Sequence, residues 1–370
     1  MDLPELFNSY FTFFRFFGMC IQTPGLSKRT KILSYFSSIF WSFYACASLF
    51  LMYSINKSTI HSETVHFFQA IGLHLTHLTV MLETLATEKK QLNFWKNLKN
   101  IERFYGPELK DVKLKYIQCK RIVVRKILIL LGISLLIESI YVTNHFYNHG
   151  RIETFVFDVL SWILNIASVM VGRFQHMSHL IVIEILKVHL EIFNNSLMKL
   201  KGNINFFDDK SLIEELNLIK FRHTYIWELC KSINSCYLWS QMINFLINFL
   251  QLTSILYYIY YLIVKGSFLL FFPMFLLFIL VSSNYLFVIK AADDVQVEAQ
   301  KTPQLIHNLL QHNKESLRGF VKNCILDLSF QIHHERIIIT VGKLFVLNFA
   351  LITTVFGTIV TYLVIFIQFF

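Results

Sequence analysis

Apolar residues gather in seven blocks, each long enough to cross a bilayer as an α-helix, for which about 20 residues suffice. The blocks run at 32–55, 63–86, 122–146, 154–177, 239–264, 267–289 and 344–370. The second is the least apolar and holds His66, Gln69, His74, His77 and Glu83. Lys265, Gly266 and Ser267 join the fifth to the sixth, which predicts a tight antiparallel hairpin. Pro273 predicts a kink in the sixth. Between the blocks, residues 89–121, 180–236 and 291–342 alternate apolar and charged positions in a helical rhythm. Leu309, Leu310, Leu317, Phe320, Val321, Cys324, Ile325 and Leu328 fall on one broad face. The pattern predicts helices that run on past the membrane and pack there as a bundle.

The last block carries no Asp, Glu, Lys, Arg or His, but it does carry a polar row. Thr354, Thr358, Thr361 and Gln368 are spaced by four, three and seven, so they share a helical face with Ile365. Spacing alone leaves two readings open. Threonines in membrane helices bond the carbonyl four residues back or sit at helix contacts. The same row could line a pore, where Gln368 from several copies around an axis would form a ring of amide dipoles.

Composition fixes the class. Only 16% of the residues are charged and mean hydropathy is +0.51, against about 25% charged for a soluble domain. Phe is abundant at 38, while Gly and Pro are scarce at 12 and 5. An all-α integral membrane protein is expected rather than a turn-rich barrel. The formal charge of +10 would suggest nucleic acid in a soluble protein. Here it follows membrane topology, and no nucleic-acid partner is expected. With the N-terminus inside, all Lys and Arg except Lys57, Arg151 and Lys265 fall on the inner side, Arg173 among them. Seven spans then place the C-terminus outside, the inverse of a G-protein-coupled receptor. No cysteine falls in an outer loop, so no disulfide framework is expected. The first twenty residues lack a basic n-region, so they read as an aromatic-rich interfacial helix and not as a signal peptide.

Other candidates have bland readings. His74 and His77 lack further ligands, so packing is favoured over metal. Asn56 opens a glycosylation sequon close to the bilayer, and Asn194 opens one on the inner side. No phosphate loop, HExxH or nucleophile elbow is present, so neither an enzyme nor a cofactor is expected.

Thr361-Tyr362, five apolar residues and Gln368-Phe369 resemble the signature of the insect gustatory receptors. Gly342-Lys343-Leu344-Phe345 resembles that family's approach to its last helix, and Ala299-Gln300-Lys301-Thr302-Pro303 has a weaker likeness. Insect odorant receptors share part of the motif. The resemblance implies a tetrameric, ligand-gated, non-selective cation channel whose last helix lines a central pore, with Ile365 and Gln368 at the outer constriction. It implies a homotetramer or a heteromer with related receptors, at the plasma membrane of a sensory dendrite. The expected division is 1–290 as a membrane bundle with an outer pocket and cytoplasmic extensions, 291–343 as a cytoplasmic anchor and 344–370 as the pore helix.

The resemblance also implies a small-molecule tastant bound in the outer halves of the first six helices. Polar and aromatic residues at that depth are Gln69, Glu138, Tyr141, Asn144, Asp158, Trp162, Asn165, Tyr257, Tyr258 and Tyr261. Intramembrane acids usually face a cavity, and Asp158 with Trp162 would suit a hydroxylated or cationic ligand. Sugar receptors of the family are longer chains, which leans this one toward bitter or unassigned tastants. The alternatives are a sugar-sensing receptor, an odorant-type receptor or co-receptor subunit, and, from another class, a transporter or metabotropic receptor without its own pore.

Overall fold

The computed structural model describes residues 3–56, 64–105, 109–148, 152–203, 207–266, 268–312 and 319–369. In chain order its elements are α1 (Leu3–Leu6), α2 (Asn8–Phe16), α3 (Lys28–Asn56), α4 (Thr64–Ala86), α5 (Glu88–Arg103), α6 (Leu109–Asn148), α7 (Ile152–Asn203) and α8 (Asp209–Cys236). There follow α9 (Leu238–Val264), α10 (Phe268–His312), α11 (Gly319–His334), the strands β1 (Thr340–Val341) and β2 (Phe345–Val346), and α12 (Phe349–Phe369).

The described parts of six of the seven apolar blocks fall within α3, α4, α6, α7, α9 and α10. Helices α6, α7 and α10 have 40, 52 and 45 residues. At 1.5 Å per residue they run about 60–78 Å, roughly twice a hydrocarbon core. Helix α10 continues through both Pro273 and Pro303. Among the described residues, three helical stretches are apolar and long enough to cross a membrane: Lys28–Leu51, Leu238–Val264 and Phe271–Gln311. Phe349–Ile365 is a shorter apolar stretch. Helices α4 and α7 keep polar groups inside the protein: His74, His77, Glu83 and Arg173 are buried.

Helix α7 is the spine. It packs on α4, α6, α8 and α10, while α5 and α11 pack on α8. Leu186, Leu190, Phe193 and Leu197, spaced by four, three and four, are fully buried along one face of α7. Truncating any one of them to alanine costs about 2–5 kcal/mol.

One expectation is refined and a second is corrected. The first concerns the N-terminal segment, which buries one face in the protein while Phe13 and Phe16 stay exposed on the other. Leu3, Phe7, Phe11 and Phe14 are buried, and Phe13, Phe14 and Phe17 pack around Phe174 of α7. Buried Arg15 bonds the Ile21 carbonyl at 2.7 Å and Thr23 Oγ1 at 2.8 Å. Aromatic side chains suit a protein groove as well as a membrane interface, and the groove has the closer packing.

The second concerns the last block, which is not helical from residue 344. Val341 pairs with Phe345 and Thr340 with Val346 in an antiparallel hairpin. Gly342 and Lys343 both have positive φ, 58° and 59°, as a type I′ turn requires. The Leu344 N–H donates to the Val341 carbonyl at 3.0 Å. Helix α12 starts only at Phe349. Its 21 residues still span about 31 Å.

Candidate functional site: the last helix and the polar interior behind it

Asn348 caps α12, its Oδ1 receiving the Leu351 N–H at 3.2 Å. Asp293 of α10 receives the Phe349 N–H at 3.3 Å. Helix α12 then packs along one narrow side. Ile359 is fully buried there, and Tyr362 meets Phe249 of α9 edge-on at 6.2 Å. At the base of the helix Phe345 lies 6.1 Å from Phe245.

The polar row faces away from that contact. Thr354, Thr358, Thr361, Ile365 and Gln368 are all exposed. Each threonine hydroxyl donates to the carbonyl four residues back: Thr354 to Ala350 at 3.1 Å, Thr358 to Thr354 at 2.8 Å and Thr361 to Gly357 at 3.0 Å. The first reading from the sequence, hydroxyls bonded within the helix, is what the structure shows. The donors are used within the helix, and oxygen lone pairs remain on the exposed face.

The ligand-pocket candidates are less well gathered. The side chains of Gln69, Tyr141, Asn144, Asp158 and Trp162 lie outside the described set. Glu138 pairs with Arg173 of α7 at 3.5 Å, and both are largely buried. Arg173, counted on the inner side, is thus a buried side chain paired within the bundle. One ion pair puts Glu138 and Arg173 at one depth. Asn165 is half-buried beside His74. Tyr257 and Tyr258 meet edge-on at 6.2 Å, and Lys265 sits 4.4 Å above the Tyr261 ring.

Behind α12 lies a layer of polar contacts that sequence reasoning did not assemble. Ser168 of α7 bonds His74 Nδ1 at 2.7 Å and His77 Nδ1 at 2.9 Å. The HxxH pair is thus tied to one hydroxyl. No group of three His, Cys, Asp or Glu suited to a metal occurs among the described residues. Asn244 of α9 bonds the Gly172 carbonyl at 3.0 Å, and Asn248 meets His176 Nε2 at 3.1 Å. Glu83 of α4 receives the Trp239 and Ser240 N–H groups at 2.7 and 3.0 Å. Asn234 of α8 receives the Thr340 N–H at 3.0 Å and donates to the Ile338 carbonyl at 2.8 Å. The signal for the α12 cap was present in the sequence: an Asn just before an apolar run marks a helix start. The other partners are distant in sequence and leave no local signal.

A cavity of about 40 Å³ lies where α2, α4, α5, α7 and α8 meet, with Trp95, Gln175, Ser178 and Cys236 in its wall. That space suits a few waters.

The model of the family described as 7tm Chemosensory receptor matches residues 7–369. A Drosophila melanogaster protein with the provisional name gustatory receptor 2a is 23% identical over 392 aligned residues, which cover 93% of this chain and 89% of that one. The insect olfactory receptor OR5 from Machilis hrabei superposes with a TM-score of 0.69 at 14% identity, over 99% of this chain and 98% of that one. The same receptor in complex with eugenol gives 0.67 at the same identity and coverage. The structural likeness establishes a shared, mostly helical membrane-protein fold. The family match covers nearly the whole chain, so this protein belongs to the 7tm chemosensory receptors and is a membrane-embedded receptor rather than an enzyme.

Proposed function

We propose that the chain is a gustatory receptor that works as a ligand-gated, non-selective cation channel. Four copies would assemble around an axis lined by α12. The N-terminus would lie in the cytoplasm and the C-terminus outside, with residues 291–343 forming part of a cytoplasmic anchor. The plasma membrane of a sensory neuron is the proposed site of action.

One observation carries this reading. An apolar helix that buries only a narrow side leaves Thr354, Thr358, Thr361, Ile365 and Gln368 together on its exposed side. Hydrocarbon is a poor home for the Gln368 amide, which has two donors and an acceptor to satisfy. A water-filled axis satisfies it. Threonine oxygens whose hydrogens point back into the helix present acceptors to a passing cation. Ile365, one turn below Gln368, would gate by excluding water when the four copies close.

The eugenol complex of the olfactory relative supports a small organic ligand, and a bitter or unassigned tastant is the class proposed. Glu138, Asn165, Tyr257, Tyr258 and Tyr261, with Gln69, Tyr141, Asn144, Asp158 and Trp162, remain the proposed pocket residues. Binding would favour an open arrangement of α12 through higher affinity for that state. The test is recording from purified protein in planar bilayers, with eugenol, sugars, alkaloids and amines as probes. Ligand-evoked currents that ignore substitution of both Ile365 and Gln368 would remove the pore assignment. A C-terminus accessible only from the cytoplasm would remove the topology.

A further inference from the structure

We infer that Asp293 is the positioning residue of the last helix, a cap supplied by α10 that ties the base of α12 to that helix. The first N–H groups of a helix have no partner within it, and its N-terminus carries partial positive charge. In α12 two side chains answer this. Asn348 covers the Leu351 N–H from within the chain turn. Asp293 covers the Phe349 N–H from a different helix, at 3.3 Å. Lys290, one turn earlier on α10, stands 5.9 Å from the centre of the Phe349 ring. Phe349 is therefore held between Lys290 and Asp293.

The neighbouring residue extends the connection. Asp294 bonds Lys187 of α7 at 2.8 Å and Lys290 at 3.5 Å. Successive helical residues point about 100° apart, so Asp293 and Asp294 address two different neighbours from one turn of α10. A rotation or tilt at the base of α12 must break the Asp293 bond or carry α10 with it. A shift of α7 relative to α10 reaches the same turn through Lys187. The consequence for gating rests on the channel reading; the cap itself does not.

Amide hydrogen exchange of the full chain in lipid nanodiscs tests the cap. Asp293→Ala is expected to speed exchange at residues 349–351 by about tenfold, the effect of losing one charge-assisted bond at a helix start. Asp293→Asn keeps an acceptor oxygen and is expected to stay within about threefold of the native rate. Asp294→Asn is expected to leave these amides unchanged. Protection of residues 180–197 on α7 reports that each variant is folded; if Asp293→Ala fails there, Asp293→Ser, whose shorter side chain does not reach the Phe349 N–H, takes its place with the same tenfold expectation. Unchanged exchange in Asp293→Ala overturns the proposal, as does equal acceleration by Asp294→Asn. In bilayers, Asp293→Ala is expected to alter the ligand-free open fraction while unitary conductance stays native. A changed conductance would instead make Asp293 part of the conduction path and overturn its positioning role. A native protein that passes no current sinks the channel reading alone, and exchange then decides the cap.

Discussion

Glu83 and Ser240 join the end of α4 to the start of α9. One Glu83 oxygen receives the Trp239 N–H at 2.7 Å, and the other receives the Ser240 N–H at 3.0 Å and the Ser240 hydroxyl. Trp239 and Ser240 are the second and third residues of α9, so the carboxylate closes two of that helix's open donors and meets its positive end. Gln175 of α7 donates to the same Ser240 hydroxyl at 2.5 Å. Three helices therefore meet around the Ser240 hydroxyl.

Glu83→Ala is expected to lower stability by about 3 kcal/mol, since one buried and one part-buried N–H group lose a charged acceptor. Glu83→Gln keeps an acceptor oxygen and is expected to cost about half of that. Denaturant midpoints of the purified protein in detergent check both, and equal midpoints for all three forms contradict the cap.

Asn234 treats residues 338–340 as a neighbouring strand would, accepting from Thr340 and donating to Ile338. Asn234→Asp removes the donor and sets a carboxylate against the Ile338 carbonyl. It is expected to destabilise by about 2 kcal/mol, no less than Asn234→Ala. Limited proteolysis at 337–348 provides the readout. Cleavage should rise several-fold in both variants, and native resistance would show that Asn234 does not hold this segment.

His189 lies on α7 beyond the expected span. It is fully buried between the hydroxyls of Tyr105, 2.8 Å from Nδ1, and Tyr116, 2.9 Å from Nε2. Burial pushes its pKa down to about 3, against about 6.5 in an unfolded chain. The unfolded state therefore binds the proton first as pH falls. This contribution is full above about pH 6.5 and is lost at about 1.4 kcal/mol per unit down to about pH 3. From pH 6.5 to 5, His189 accounts for a loss of about 2 kcal/mol. Stability measured against pH should show a shallower acid limb in His189→Gln than in the native protein; parallel limbs would contradict this.

What the sequence made legible follows from where the partners sit. The apolar blocks and the Thr354-to-Gln368 row depend on periodicity within one helix, so they were readable without the fold. The start of α12 was misplaced because Phe345, Val346 and Leu347 are apolar and read alike as strand or helix. Gly342-Lys343 is not one of the strong hairpin signals. Arg173 was counted only as an inner-side charge because its partner, Glu138, lies on another helix. Glu83, Asn234 and Asp293 were ordinary polar residues until the fold supplied the N–H groups that they accept. Phe7, Phe11 and Phe14 had the right amphipathic face, but one sequence cannot distinguish lipid from protein as the surface they cover.

The central claim is that α12 lines the conduction path with Gln368 at its mouth. Bi-ionic reversal potentials in planar bilayers test it most directly, comparing the native protein with Gln368→Glu and Gln368→Arg. A carboxylate ring should favour calcium over sodium by several-fold relative to the native protein, and a guanidinium ring should suppress cation current by tenfold or more. Conductance and reversal potentials identical in all three forms would place Gln368 away from the permeating ions and contradict the account.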